Sequence, residues 1–198
     1  MDFAAKKVCA SVLFTDIRYF NKIVNILSLE ETHSFLNDCF GPIVETVLKY
    51  EGIVDKFIGD AVMAVFGSLI RHEDDPFRAV KCALDIQKKI EEINIKWRKS
   101  LDFLVEIDIG ICTGEVLTGN VGHIRKLQYT VIGKPVNLAA QLVHMCNAHN
   151  VEILIDEYTH EKTKDDFVFR EIGEKLILGF IEPVQLYSPK TGAVKKEI

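Results

Sequence analysis

The sequence predicts an α+β fold, a mixed sheet with helices packed on one of its faces, and three observations carry that prediction. Short apolar or alternating runs of strand length recur between Val8 and Leu186. Two long stretches repeat apolar residues every three or four positions, as helices with one buried face do. The two kinds of segment are interspersed along the chain, and one pair of strand-like runs is separated only by Ile58-Gly59-Asp60.

Taken in order, Val8 to Phe14 is short and partly β-branched, and reads as a buried strand ending at Thr15-Asp16. Ser28 and Glu31 have capping-box spacing for a helix running toward Tyr50, with Phe35, Cys39, Ile43 and Val47 on its buried face. Pro42 falls inside that helix and predicts a kink or a break. Ile53–Phe57 and Ala61–Phe66 form a hairpin, Gly59 supplying the unusual backbone angles of the turn. A long helix follows from about Pro76 to Trp97. Val105 to Ile111 alternates acidic and apolar residues like a half-buried strand. Further strands lead to Ile132, then a helix from about Pro135 to Cys146, a strand from Val151 to Ile155 and a β-rich end from Phe167 to Leu186. The 198 residues are expected to form one domain, with a core at about 8–188 and a tail at 189–198.

Composition removes several functions. A formal net charge of -5 disfavours nonspecific contact with nucleic acid or with membrane, both of which need a basic surface. The five cysteines are scattered with no C-x-x-C pair, as expected of reduced thiols in the cytoplasm. The histidines lack zinc spacing, His144 and His149 being five apart. No apolar run approaches the roughly 20 residues that cross a bilayer, and no secretory signal pattern is present. A cytoplasmic domain is the expectation, alone or as the cytosolic part of a larger protein. There is no G-x-x-x-x-G-K-[ST] phosphate loop.

Asp16 ends an apolar strand and Asp60 sits at the tip of a hairpin that should lie beside it. Two carboxylates brought together repel unless they are protonated or bridged by cations. Mg²⁺ favours one or two carboxylates together with triphosphate oxygens, and such a site suits in-line attack at phosphorus. The plainer alternative makes Asp60 a turn residue and Asp16 a helix N-cap.

Phe14-Thr15-Asp16-Ile17, followed by Val54-Asp55-Lys56-Phe57-Ile58-Gly59-Asp60-Ala61, resembles the two metal-binding motifs of the class III nucleotidyl cyclases. Tyr129-Thr130-Val131-Ile132-Gly133-Lys134-Pro135-Val136-Asn137 resembles the third signature of that family, and the likeness runs in order from Val8 to Leu186. The sequence looks most like the bacterial homodimeric adenylate cyclases. The resemblance implies a ferredoxin-like, palm-type sheet and conversion of ATP to cyclic AMP and pyrophosphate. It further implies two divalent cations, Mg²⁺ or Mn²⁺, held by Asp16, Asp60 and the backbone carbonyl of Ile17. Arg125 would contact the triphosphate from the metal-bearing chain. Asn137 would orient ribose or phosphate from the other chain, because the family's sites lie between two domains in a homodimer or heterodimer. Lys56 and Thr130 match the pair that reads the base. An ammonium only donates and a hydroxyl both donates and accepts, which suits adenine with its N1 acceptor and N6 donor. The plainer readings are a solvated lysine beside Asp55 and a β-favouring threonine.

Two family cations are missing. Gln141 stands one helical turn after Asn137 where the family has an arginine, and Leu178 precedes Gly179 where it has a lysine. Lys175 would be a poor replacement if its segment is a strand. Loss of one transition-state donor costs about 2.7–4 kcal/mol in comparable sites. Three readings follow: a slow homodimeric adenylate cyclase, the metal-side subunit of a heterodimer, or a degenerate domain that binds nucleotide or only dimerises. A diguanylate cyclase would carry a Gly-Gly-acidic-Glu-Phe hairpin in place of Ile58-Gly59-Asp60-Ala61-Val62.

Overall fold

The structure, a computed structural model, describes residues 5–194. Its strands are β1 (Lys6–Ile17), β2 (Ile53–Ile58), β3 (Ala61–Phe66), β4 (Ile107–His123), β5 (Lys126–Ile132), β6 (Ile153–Asp156), β7 (Phe167–Lys175) and β8 (Val184–Val194). The helices are α1 (Phe20–Ile26), α2 (Leu29–Lys49), α3 (Asp75–Trp97), α4 (Lys134–Met145) and α5 (Glu157–Thr163). The strands make one mixed sheet in the order β2-β3-β1-β4-β6-β8-β7, and β5 pairs with the far half of β4 as a hairpin.

Successive strand residues face opposite sides of a sheet, and here both sides are covered. On one side Leu13, Ile17, Val62, Ala64, Phe66, Ile107 and Ile109 meet the apolar faces of α2 and α3. On the other, Val12, Phe14, Met63, Val65 and Cys112 meet Leu138, Ala139, Leu142 and Val143 of α4. The expectation of helices on a single face is therefore corrected. The central strands carry near-continuous apolar runs because each face feeds its own core. Helix α4 comes close to the sheet at Gly110, where an added Cβ would stand 2.2 Å from the Ala139 carbonyl oxygen. Only a residue without a side chain fits there.

Three other expectations are adjusted. Helix α2 runs unbroken through Pro42, capped by the Ser28–Glu31 box, because Phe35, Cys39, Ile43 and Val47 bury one continuous stripe on both sides of the proline. Strand β4 begins at Ile107, not Val105, because the Asn94 amide of α3 takes both the N–H and the carbonyl of Val105. At the C-terminal end β8 extends to Val194, through positions read as tail, while residues 195–198 lie outside the described ones.

Candidate active site

Asp16 lies inside β1, paired opposite Asp108 of β4, and β1 runs antiparallel to β3 with Thr15 opposite Val62. The residue that precedes α1 is Tyr19, in the left-handed region at φ 58°, so Asp16 is not a helix cap. Asp60 occupies the two-residue turn between β2 and β3, after Gly59 at φ +61°. That geometry brings the Asp60 carboxylate close enough to Asp16 to act on it through its charge. Burial first, and the Asp60 charge second, push the Asp16 carboxyl from its ordinary 3.8 up to about 6. Asp108 adds to the repulsion although Arg18 holds it in an ion pair. His144 of α4 opposes it, its Nδ1 3.9 Å from Asp16 Oδ2. Arg18 N–H bonds across to the Glu106 carbonyl, so by strand alternation the backbone groups of Ile17 face the other way, toward β3 and the turn.

Such a donor set fits a hard divalent cation. Among the described residues no group of three or more His, Cys, Asp or Glu side chains is arranged to hold a metal. Any ion here would rest on two carboxylates and a carbonyl, with its other positions left to water or phosphate oxygens, which is how Mg²⁺ is commonly held. Burial and the Asp60 charge both disfavour the ionised Asp16, and a bound cation would oppose both.

A second constellation joins β2 to β5. Lys56 Nζ donates to Thr130 Oγ1 at 3.0 Å, Thr130 Oγ1 donates to Asp55 Oδ2 at 2.9 Å, and Lys56 Nζ lies 3.1 Å from the same oxygen. Consecutive strand residues ordinarily point to opposite faces. Here the β2–β3 ladder shifts register between Val54 and Lys56, leaving Asp55 as the extra residue of a bulge. The bulge brings both side chains to one hydroxyl.

Helix α4 carries the third group. Lys134, Asn137 and Gln141 line a cavity of about 730 Å³ together with Leu178, Gly179, Phe180 and Glu182. Gln141 Nε2 donates to the Leu178 carbonyl at 2.6 Å, so the two positions where the sequence resemblance leads one to expect cations touch each other. The Leu178 side chain itself points outward and is 85% exposed. Lys175 closes β7 and does not line the cavity. Arg125 is exposed at the tip of the β4–β5 hairpin and makes no ion pair with Asp16 or Asp60. Within one chain, then, three pairings appear: Asp16 with Asp60, Lys56 with Thr130, and Gln141 with Leu178.

Sequence reasoning placed Asp55 beside Lys56 but missed its bond to Thr130, and it missed Lys134 and His144 as neighbours of these groups. The helical spacing 134, 137, 141, 144 marks one face of α4 and was the available signal for two of them. Nothing in the sequence marks the bulge at Asp55.

Comparison with known proteins places the chain in a family and matches its fold to solved structures. The adenylate and guanylate cyclase catalytic domain family matches residues 4–188. The adenylyl cyclase CyaB from P. aeruginosa superposes with a TM-score of 0.89 at 32% identity, covering 94% of this chain and 96% of that one. The guanylyl cyclase Cya2 gives 0.81 at 28% identity, covering 96% and 94%. Adenylate cyclase 1 of Rhizobium meliloti is 29% identical over 184 residues, 93% of this chain and 28% of that one. The chain spans about a third or less of the length of the curated relatives it matches. Sequence and fold agree: the chain belongs to the adenylate and guanylate cyclase catalytic domain family.

Proposed function

We propose that the domain converts ATP to cyclic AMP and pyrophosphate, the ribose 3′-hydroxyl attacking the α-phosphate and pyrophosphate leaving in line. The reading rests above all on the Lys56–Thr130 contact, which joins residues from distant strands into one donor–acceptor pair matched to adenine. Asp16, Asp60 and the Ile17 carbonyl would hold Mg²⁺ or Mn²⁺, which when bound neutralises phosphate charge and favours the ionised hydroxyl. Arg125 contacts the triphosphate from the metal-bearing chain. Asn137 of a second chain orients ribose or phosphate, so the working unit is a dimer. Five free cysteines fit a cytoplasmic setting, and no helix among the described residues is long and apolar enough to cross a membrane.

One observation favours a narrower version. Gln141 directs one amide N–H at the Leu178 carbonyl, and the cavity beside it is lined by Lys134 together with Glu157 and Glu182. A triphosphate meets little positive charge there. Self-paired, the chain turns over slowly; as the metal-side partner of a chain that brings its own cations, it turns over faster.

The test is cyclic AMP and cyclic GMP formation from ATP and GTP with Mn²⁺ or Mg²⁺, for the unaltered chain and for Gln141→Arg with Leu178→Lys. Product from ATP in preference to GTP, rising on the order of a hundredfold in the double variant, is expected. The arginine acts mainly on kcat and the lysine mainly on KM, since triphosphate is gripped in ground and transition states alike. A double variant no faster than the parent contradicts the assignment of positions 141 and 178. Cyclic GMP as the main product contradicts the adenine assignment.

A further inference from the structure

We infer that Asp55 is a positioning residue for base selection, fixing the direction of the Thr130 hydroxyl so that it presents only an acceptor to the base. The inference deepens the adenine reading and rests on it.

Two charged groups determine the hydroxyl's proton without any hydrogen being seen. A carboxylate can only accept and an ammonium can only donate. Thr130 Oγ1 lies 2.9 Å from Asp55 Oδ2, so its single proton points at Asp55. Lys56 Nζ lies 3.0 Å from the same hydroxyl and occupies one of its two lone pairs. One lone pair is left, and no proton. The Lys56 ammonium in turn spends one N–H on Thr130 and one on Asp55, keeping a third for the ligand. The triad therefore offers one donor and one acceptor side by side, which matches N1 and the N6 amino group of adenine. Guanine presents a donor at N1 and an acceptor at O6, and meets neither partner. A threonine alone would not discriminate in this way, because its free hydroxyl rotates to donate or to accept.

The arrangement is sheltered and built by the backbone. Side-chain exposure is 7% for Asp55, and Thr130 is equally buried, so water does not compete for the proton. The β2 bulge exists at Asp55 itself, and without it Asp55 and Lys56 would face opposite sides of the strand. A bulge costs ladder pairing, and here its visible product is the shared contact at Thr130.

The test compares the ATP-to-GTP ratio of kcat/KM, and of affinity for unreactive ATP and GTP analogues with Mn²⁺, in four proteins: the unaltered chain, Asp55→Ala, Asp55→Asn, and Lys56→Glu with Thr130→Cys. Thermal unfolding checks that each is folded. Asp55→Ala frees the hydroxyl to donate to O6, and the ratio should fall about tenfold, chiefly by a gain for GTP. Asp55→Asn keeps an oxygen that can accept the proton and should retain most of the preference. If Asp55→Ala does not fold, Asp55→Val fills the same space without an acceptor and carries the same expectation. An unchanged ratio in Asp55→Ala or Asp55→Val, while the Lys56 and Thr130 exchange moves it, overturns the role of Asp55 and leaves the base reading standing. No ATP preference in the unaltered chain, with no response to that exchange, overturns the base reading and the role of Asp55 together.

Discussion

Asp16 shows at a single residue how the fold sets its electrostatic demands. Its carboxyl is raised to about 6 by burial and by the Asp60 charge. A carboxyl whose folded value exceeds its unfolded one holds its proton more tightly in the native state. Its contribution is therefore most favourable below about pH 4 and is lost as the pH climbs to about 6. Asp16→Asn removes that loss. Without metal, the variant should melt higher than the parent at pH 7.5 by roughly 2–6 °C, from about 1–2 kcal/mol after solvent screening. The difference should close near pH 4. Adding Mn²⁺ should stabilise the parent and not the variant. Thermal melts across pH with and without chelator check this, and equal curves for the two proteins would contradict the pairing. The residues of this pair were legible in the sequence because each ends a recognisable apolar run. Asp55 was not, since its importance arises from a register shift that no periodicity reveals.

At the scale of elements, those with a long or strongly patterned signal were legible. The Ser28–Glu31 cap, the stripes of α2 and α3 and the Gly59–Asp60 turn all follow from local rules. What local rules missed was settled by distant partners. Asn94 clips Val105 out of β4, and α2 continues through Pro42 because packing on both sides outweighs one lost hydrogen bond. The seven-residue helices α1 and α5 are too short for a 3.6-residue period to register. The placement of α4 on the second face has its own determinant at Gly110, whose missing side chain lets the helix carrying Asn137 and Gln141 lie against β4. Gly110→Ala should destabilise the domain by about 1–3 kcal/mol and shift α4 outward. Denaturant unfolding measures the first effect, and reduced nucleotide affinity in the folded variant reports the second. A change under about 0.5 kcal/mol would mean that the helix adjusts freely and that this contact does not hold it.

At the scale of the molecule, the sheet sorts the chemistry into two regions. The end of β1 and the β2–β3 turn carry the acidic pair, while β5, the bulge of β2 and α4 carry the groups proposed to meet the base and the phosphates. In the proposed dimer the acidic pair of one chain works with the α4 groups of the other. The sequence motifs already implied this division. That Gln141 and Leu178 meet in one wall, closed on each other, required the fold. In that proposal the chain's deficit falls on one half of a shared site, and a partner chain would make it good. The most direct measurement mixes this chain with a cyclase chain whose own metal aspartates are mutated but whose arginine and lysine are intact, and follows cyclic AMP formation from ATP. The mixture should exceed the summed activities of its parts by at least tenfold, and Asp16→Ala or Asp60→Ala in this chain should abolish the gain. A verified mixed dimer with no gain, or a gain that survives loss of both aspartates, would contradict the assignment of the metal half-site to this chain.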